Sequence, residues 1–297
     1  MPTPRRLALA AVLAALALTA APAPAGADTA GPLDVGRLVL SPTDAGYVGA
    51  VRITVRNTGP EAVAPQVFVT EPVAGSWSGA GDEFCNEAVP RQSPRVFQCW
   101  LPLIEPDGSR TFAASFTVRT APRPYAMAVS GGTVSATVAE PAVPFPTLFR
   151  ATDGSLRDPR PYVQDTSTDA RLAGADIARL RPRPDGSWAG TLRVTARWRG
   201  DAAHWTLYVN TALPAGVRLD GTDPAEAPCW DECPVPGGPF MEGERRTFDL
   251  LLVADPGTAP GRLGTGTATL SALWNDGTVP DPAPGNNTVG FAVVATP

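Results

Sequence analysis

The chain repeats itself. Asp34-Val-Gly-Arg37-Leu38 returns as Asp176-Ile-Ala-Arg179-Leu180, and the longer run Tyr47-Val-Gly49-Ala-Val-Arg52-Ile-Thr54-Val-Arg56 returns as Trp188-Ala-Gly190-Thr-Leu-Arg193-Val-Thr195-Ala-Arg197. The offset is 142 residues at Asp34/Asp176, 141 at Arg52/Arg193 and 136 at Thr111/Thr247. Slow drift of this kind is what loop-length changes leave in a duplicated unit, and so long a period means tandem domains, not a solenoid of short repeats. Whatever fold the first half adopts, the second half must adopt too.

Strands are legible inside each unit. Val51, Ile53 and Val55 alternate with Arg52, Thr54 and Arg56, while Leu192, Val194, Ala196 and Trp198 alternate with Arg193, Thr195 and Arg197. This two-residue period predicts one buried and one wet face. Further strands are predicted at residues 66–70, 111–119 and 132–138, and in the second unit at 205–210, 247–253, 266–274 and 288–294. Turns such as Pro106-Asp107-Gly108 and Asn275-Asp276-Gly277 separate them. Pro 34 and Gly 29 make up about a fifth of the chain, against roughly 12 per cent in average usage, which suits a protein rich in turns. About seven short strands per unit predict an all-β protein of two tandem immunoglobulin-like antiparallel β-sandwich domains, placed at residues 28–139 and 175–297. The proline-dense stretch 140–174, opening with Glu140-Pro-Ala-Val-Pro-Phe-Pro146, is read as the connection. The segment after Thr147 reads equally as the last strand of the first unit, or as a loop packed on the second.

Arg5 and Arg6 precede an apolar run from Leu7 to Ala21 and an Ala25-Gly-Ala27 cleavage pattern, so residues 1–27 are expected to be a signal peptide. The run is shorter than the roughly 20 residues a bilayer core requires, and no membrane span is expected in the mature chain. General secretion is favoured over twin-arginine export because Ala8, not a large aromatic, stands two positions after the arginine pair. Without Arg5 and Arg6 the chain holds 22 basic and 29 acidic residues, an acidic balance that argues against nucleic acid as a partner. All its basic residues are arginine, and the Ala-, Gly- and Pro-rich composition fits a high-GC, actinobacterial source. No hydrophobic tail follows Val294-Ala-Thr-Pro297, so the expectation is an extracellular protein, free or loosely associated with the cell wall.

Four cysteines in an exported chain read as disulfides. Of the three pairings, Cys85 with Cys99 and Cys229 with Cys233 needs no contact between units. A loop of about 15 residues, as the first would close, stabilises by about 3 kcal/mol in the chain-entropy account; the tighter second loop contributes less.

Three segments carry a resemblance. Val51-Arg-Ile-Thr-Val-Arg-Asn57-Thr58-Gly59-Pro60, Cys99-Trp-Leu-Pro-Leu-Ile-Glu-Pro-Asp107-Gly108-Ser-Arg-Thr-Phe112 and Asp281-Pro-Ala-Pro-Gly-Asn286-Asn287-Thr288 resemble the opening strand and turn, the cysteine-to-turn segment and the closing motif of the bacterial surface "conserved repeat" family. That family is an immunoglobulin-like domain of unknown function, found in tandem in exported and wall-associated proteins. The first unit lacks the Asn-Asn-Thr ending, and the second has Trp198-Arg199-Gly200 at the Asn-Thr-Gly turn. The resemblance implies a surface role and transfers no catalytic residue.

No motif for chemistry stands out. His204 is the sole histidine, and neither a G-x-S-x-G turn nor a phosphate-cradling loop accompanies it, so no catalytic residue, cofactor or metal is predicted. Zinc on Cys229, Cys233, His204 and Asp231 is disfavoured by spacing and by oxidation. Asp220, Asp223, Asp276 and Asp281 read as turn formers ahead of calcium ligands. Of seven tryptophans, Trp188, Trp198, Trp205 and Trp274 fall on or beside strands and are assigned to the core, and Trp100 follows Cys99. Trp77 and Trp230 lie in predicted loops and are the candidate contact surface. Arg52, Arg56, Arg193 and Arg197 read as a solvated strand face. The expectation is a secreted, non-enzymatic structural or protein-binding, adhesion-type module, its partner an unknown protein or a cell-wall polysaccharide. The alternative is a carbohydrate-binding module that uses exposed tryptophans.

Overall fold

The computed structural model describes residues 32–229 and 232–297; the expected signal peptide and Trp230 lie outside them. The described chain is all-β apart from a short 3-10 turn at Pro284–Asn287. Its first sheet is made of β1 (Leu33–Val35), β2 (Leu38–Thr43), β3 (Gly46–Arg56), β4 (Gln66–Thr70), β5 (Trp77–Gly79) and β6 (Phe84–Glu87). β7 (Val96–Trp100), β8 (Ser109–Val118), β9 (Met127–Ala136), β10 (Ala139–Phe149) and β11 (Arg160–Pro161) complete it. The second sheet comprises β12 (Arg171–Gly174), β13 (Ile177–Pro182), β14 (Trp188–Arg197), β15 (Leu207–Ala212) and β16 (Val217–Asp223). To these it adds β17 (Glu232–Pro234), β18 (Arg245–Ala254), β19 (Gly261–Trp274), β20 (Gly277–Thr278) and β21 (Thr288–Ala295).

The internal repeat reappears as topology. The first sheet runs β5-β8-β3-β2-β10-β9-β4-β7-β6 and the second β16-β18-β14-β13-β21-β19-β15-β17, so every strand from β16 to β17 has its counterpart in the same place and β6 alone is extra on that path. In both sheets one strand joins two neighbours of opposite sense. Residues 38–40 of β2 pair parallel with β10 while residues 41–43 pair antiparallel with β3. β13 pairs parallel with β21 and antiparallel with β14. Each sheet thereby folds back on itself around one apolar core, to which both of its ends contribute. Val51, Ile53 and Val55 in the first and Leu192, Val194, Ala196 and Trp198 in the second are buried, as their alternation predicts. Burying one such aliphatic side chain is worth about 1.5–3 kcal/mol.

The crossover strand presses closely on its neighbour, which explains a glycine in the repeated motif. A Cβ at Gly49 would stand 2.3 Å from the Val39 carbonyl oxygen, and one at Gly190 would stand 2.1 Å from that of Arg179. No larger residue fits at either position.

The structure corrects one boundary. Residues 140–149, expected as connection, lie in β10, paired with β9 along its length and with β2 over Thr147–Phe149. Proline cannot donate to a ladder, so it survives in a strand only where one side is open or the register breaks. Pro141 falls within one register shift, between Ala139 and Val143, and Pro146 within another, between Phe145 and Thr147. Phe145, Thr147 and Phe149 still alternate into the core.

The two sheets meet through polar contacts among their loops. Glu242 accepts hydrogen bonds from Thr120 Oγ1, Ala121 N and Arg123 Nη2, each at 2.8 Å. Burial opposes charge on Glu242, but these bonds outweigh it and hold the carboxyl below its ordinary range. Tyr162 donates to Asp201 Oδ2 at 2.8 Å, and the backbone amide of each of Asp165 and Asp201 donates to the other's carboxylate. Across the junction Trp274 Nε1 donates to Ser93 Oγ and Asn275 Nδ2 to the Gln92 carbonyl.

Candidate ligand-binding face

The site follows from one buried cysteine. Cys99 on β7 points into the first core, lies opposite Cys85 on β6 in the strand register and is joined to it by a disulfide, Cα to Cα 4.1 Å. Side chains alternate along a strand and match across a ladder, so the residues beside these cysteines must face outward. Phe84 lies opposite Trp100 and Asn86 opposite Gln98. The next strand continues both rows, Gln66 beside Trp100 and Phe68 beside Gln98, with Val67 and Val69 buried between them. On β9, Ser135 lies beside Phe68 and Thr133 beside Thr70.

The outer surface of β6, β7, β4 and β9 is thus a continuous field of aromatic rings, amides and hydroxyls without an ionisable side chain among those nine residues. Phe84 is 66% exposed and Trp100 38%; their ring centroids are 5.5 Å apart and the planes are tilted by 34°. Gln98 Nε2 donates to Gln66 Oε1 at 2.9 Å, and Thr133 Oγ1 donates to Thr70 Oγ1 at 3.0 Å. The two rings pack on one another and leave much of their surface in water, on a hairpin held by a disulfide. An exposed aromatic pair of this kind makes the face a candidate interaction surface.

The second half is an internal control. Cys233 lies opposite Val209 as Cys99 lies opposite Val67, so Trp100 corresponds to Pro234, Gln98 to Glu232, Gln66 to Tyr208 and Phe68 to Asn210. Cys233 pairs instead with Cys229, four residues away. The duplicated fold keeps the cysteine, yet among the described residues the second sheet has proline in place of Trp100 and no strand in place of β6.

The structure redistributes the expected site residues. Trp77, expected on a contact surface, lies on β5 with its ring stacked on Phe97 at 4.3 Å and met edge-on by Phe116 at 5.7 Å. It is half-buried against the core because the Glu71 carboxylate draws its backbone inward, accepting from Trp77 N at 3.0 Å. Trp188 and Trp198 are buried as assigned; Trp274 is half-buried at the junction, and Trp205, assigned to the core, is 38% exposed with its ring edge-on to Trp274. Phe84 and Trp100 are the residues that reading by loops passes over. The signal for them is the alternation Phe97-Gln98-Cys99-Trp100, which turns Trp100 outward once Cys99 is known to be inside.

The remaining candidates are structural. His204 is buried against Trp198 at 4.2 Å, accepts from Phe240 N through Nε2, and is thereby left to donate from Nδ1 to the Ala202 carbonyl. Both ring nitrogens are engaged by backbone, and burial pushes its pKa down to about 4. Cys229 and Cys233 are tied in their disulfide, and among the described residues no three His, Cys, Asp or Glu side chains converge as metal ligands do. Asp281 accepts from Ala170 N, Ala283 N and Asn287 Nδ2, and Asp276 pairs with Arg91. Arg52, Arg56, Arg193 and Arg197 face solvent, with Arg193 bound to Asp249.

No family model matches the chain, and no curated protein matches it. Among solved structures it is similar to a protein of unknown function from Porphyromonas gingivalis W83, at 16% identity over 90% of this chain and 100% of that one, TM-score 0.23. It is also similar to the YadV chaperone, at 12% identity over 88% and 99% with TM-score 0.23, and to the Pseudomonas aeruginosa CupB2 chaperone, at 12% over 86% and 97% with TM-score 0.24. Likenesses this loose leave the site to be read from its own residues.

Proposed function

We propose that the protein is a secreted, non-enzymatic binding module of the bacterial exterior, built as two tandem immunoglobulin-like sandwiches, with the outer face of β6, β7, β4 and β9 as its contact surface. The matching strand orders and the parallel pairings of β2 with β10 and β13 with β21 support the domain reading. Two disulfides and an apolar leader sequence support export. The observation that carries the reading is the solvent-facing Phe84–Trp100 pair on a cross-linked hairpin, where the described residues of the second unit have Pro234 in place of Trp100. The disulfide holds the rings in place before any ligand arrives, which reduces the ordering cost of binding. The second unit, fixed through Glu242 and Asp201, acts as a support that orients this face.

The test is binding of the oxidised protein to bacterial cell envelopes, beside a Phe84→Ala, Trp100→Ala double variant. The rings pack on one another and Trp100 is 38% exposed, so folding stability is expected to fall by about 1–2 kcal/mol in the double variant, read from denaturant titration. Envelope binding is expected to fall by at least roughly tenfold, as for aromatic anchors in other interfaces. Equal binding by the variant and the parent rules this face out.

A further inference from the structure

We infer that the aromatic and amide face binds an uncharged polysaccharide, laid across the strands from Phe84 over Trp100 toward Gln66. The inference rests on the reading of this face as the contact surface and adds the class of ligand.

The chemistry of the face selects the occupant. A sugar ring offers a patch of C–H bonds on its face and hydroxyls around its rim, so it needs a flat apolar partner flanked by groups that both donate and accept. Phe84 and Trp100 supply the rings. Beside them, the bond from Gln98 Nε2 to Gln66 Oε1 leaves Gln98 Oε1 as an acceptor and Gln66 Nε2 as a donor, neither with a partner among the described residues. Asn86, exposed and opposite Gln98, adds a third amide to the face. Amides suit hydroxyls because each presents both donor and acceptor. Charge points the same way. An anionic polymer calls for guanidinium or ammonium groups, and none of the nine face residues has one; the solvent-facing arginines Arg52 and Arg193 lie on β3 and β14, away from this surface. Protein interfaces are enriched in arginine at their centres, and this face has none there. Neighbouring strands are roughly 4.8 Å apart, so Phe84 to Gln66, two strands over, spans on the order of 10 Å. That is room for more than one sugar unit, and it favours a chain over a free monosaccharide.

The test is native affinity electrophoresis of the protein, with both disulfides formed, in gels containing a soluble β-glucan, a mannan, a xylan or the anionic polygalacturonate. Trp100→Ala, Gln98→Ala and, as a control at an exposed tryptophan elsewhere, Trp205→Ala are run alongside. Retardation by at least one neutral polymer is expected, weakened roughly tenfold or more by Trp100→Ala, weakened in Gln98→Ala and retained in Trp205→Ala. Should Trp100→Ala fail to fold, Gln98→Ala carries the comparison. Envelopes treated with periodate, which cleaves sugar diols, or with protease separate the sources. Trp100-dependent envelope binding that survives periodate but not protease, or retardation by the anionic polymer alone, overturns the polysaccharide and leaves the contact face standing. Retardation by neutral polymers that Trp100→Ala and Gln98→Ala leave unchanged overturns this face as its seat. Absence of any Trp100-dependent binding, to polymers or envelopes, overturns both readings.

Discussion

Replacing Glu71 with alanine is expected to lower folding stability by about 3–5 kcal/mol, the range for breaking a buried ion pair from one side. Glu71 has no exposed surface. Its Oε1 accepts from Gly75 N, Arg95 N and Arg95 Nε, and its Oε2 from Trp77 N and Arg95 Nη2, all within 2.9–3.2 Å. One carboxylate therefore ties the loop between β4 and β5 to the chain entering β7. Without it, three backbone donors lose their acceptor and the Arg95 guanidinium, 14% exposed, is left as an unpaired charge. Arg95 also lies 4.9 Å from the ring centroids of Phe97 and Trp274, so the damage reaches the junction with the second sheet. Urea titration of parent and Glu71→Ala measures the loss, and a change below about 1 kcal/mol would show that the loop stands without this carboxylate. Glu71→Gln, which retains an acceptor but no charge, is expected to fall between the two.

The second large effect is an acid sensitivity carried by His204. Unfolded, this imidazole takes up a proton near its ordinary pKa of 6.5; folded, it does so only near about 4. Burial is the main cause, and the nearby Arg119 and Arg246 charges act in the same direction, while the bond to the Ala202 carbonyl opposes them. Between those two values the unfolded chain binds more proton than the folded one, so stability falls as pH drops. The loss starts near pH 6.5, accumulates to about pH 4 and levels off below, reaching about 3 kcal/mol for this group. Above pH 6.5 the ring is neutral in both states and adds no pH dependence. Denaturant midpoints measured from pH 7.5 to 4 should therefore slope less in His204→Gln than in the parent. Parallel slopes would mean that His204 is not the sensor.

Much of the fold is legible in the sequence because the alternation of Val51-Arg52-Ile53-Thr54-Val55 and its echo at Leu192–Trp198 is dictated by one face in oil and one in water. Two things escape it. Proline density at 140–149 reads as a break, whereas in β10 Pro141 and Pro146 occupy register shifts, where a missing N–H costs little. Contact residues escape for a different reason. Trp77 stands in a Gly- and Ser-rich stretch that reads as exposed loop, but Glu71, Phe97 and Phe116 draw it against the core, an effect of residues distant in sequence. Phe84 and Trp100 become a pair only through the β6–β7 register, which a list of spacings does not contain. The paired cysteines hold that information, since a cross-strand disulfide fixes which neighbours share the opposite face.

The parallel pairing of β2 with β10 has a mechanical meaning. In the first unit β2 follows β1 and β10 precedes β11, and β2 and β10 pair as Leu38 with Thr147, Val39 with Leu148 and Leu40 with Phe149. Tension between the ends of the chain, once β1 and β11 are drawn off, pulls these two parallel neighbours in opposite directions along their length. Their hydrogen bonds are then sheared together instead of being unzipped in turn. The same geometry recurs between β13 and β21. Load that enters the second unit ahead of β13 and leaves it after β21 would be borne as shear of that ladder.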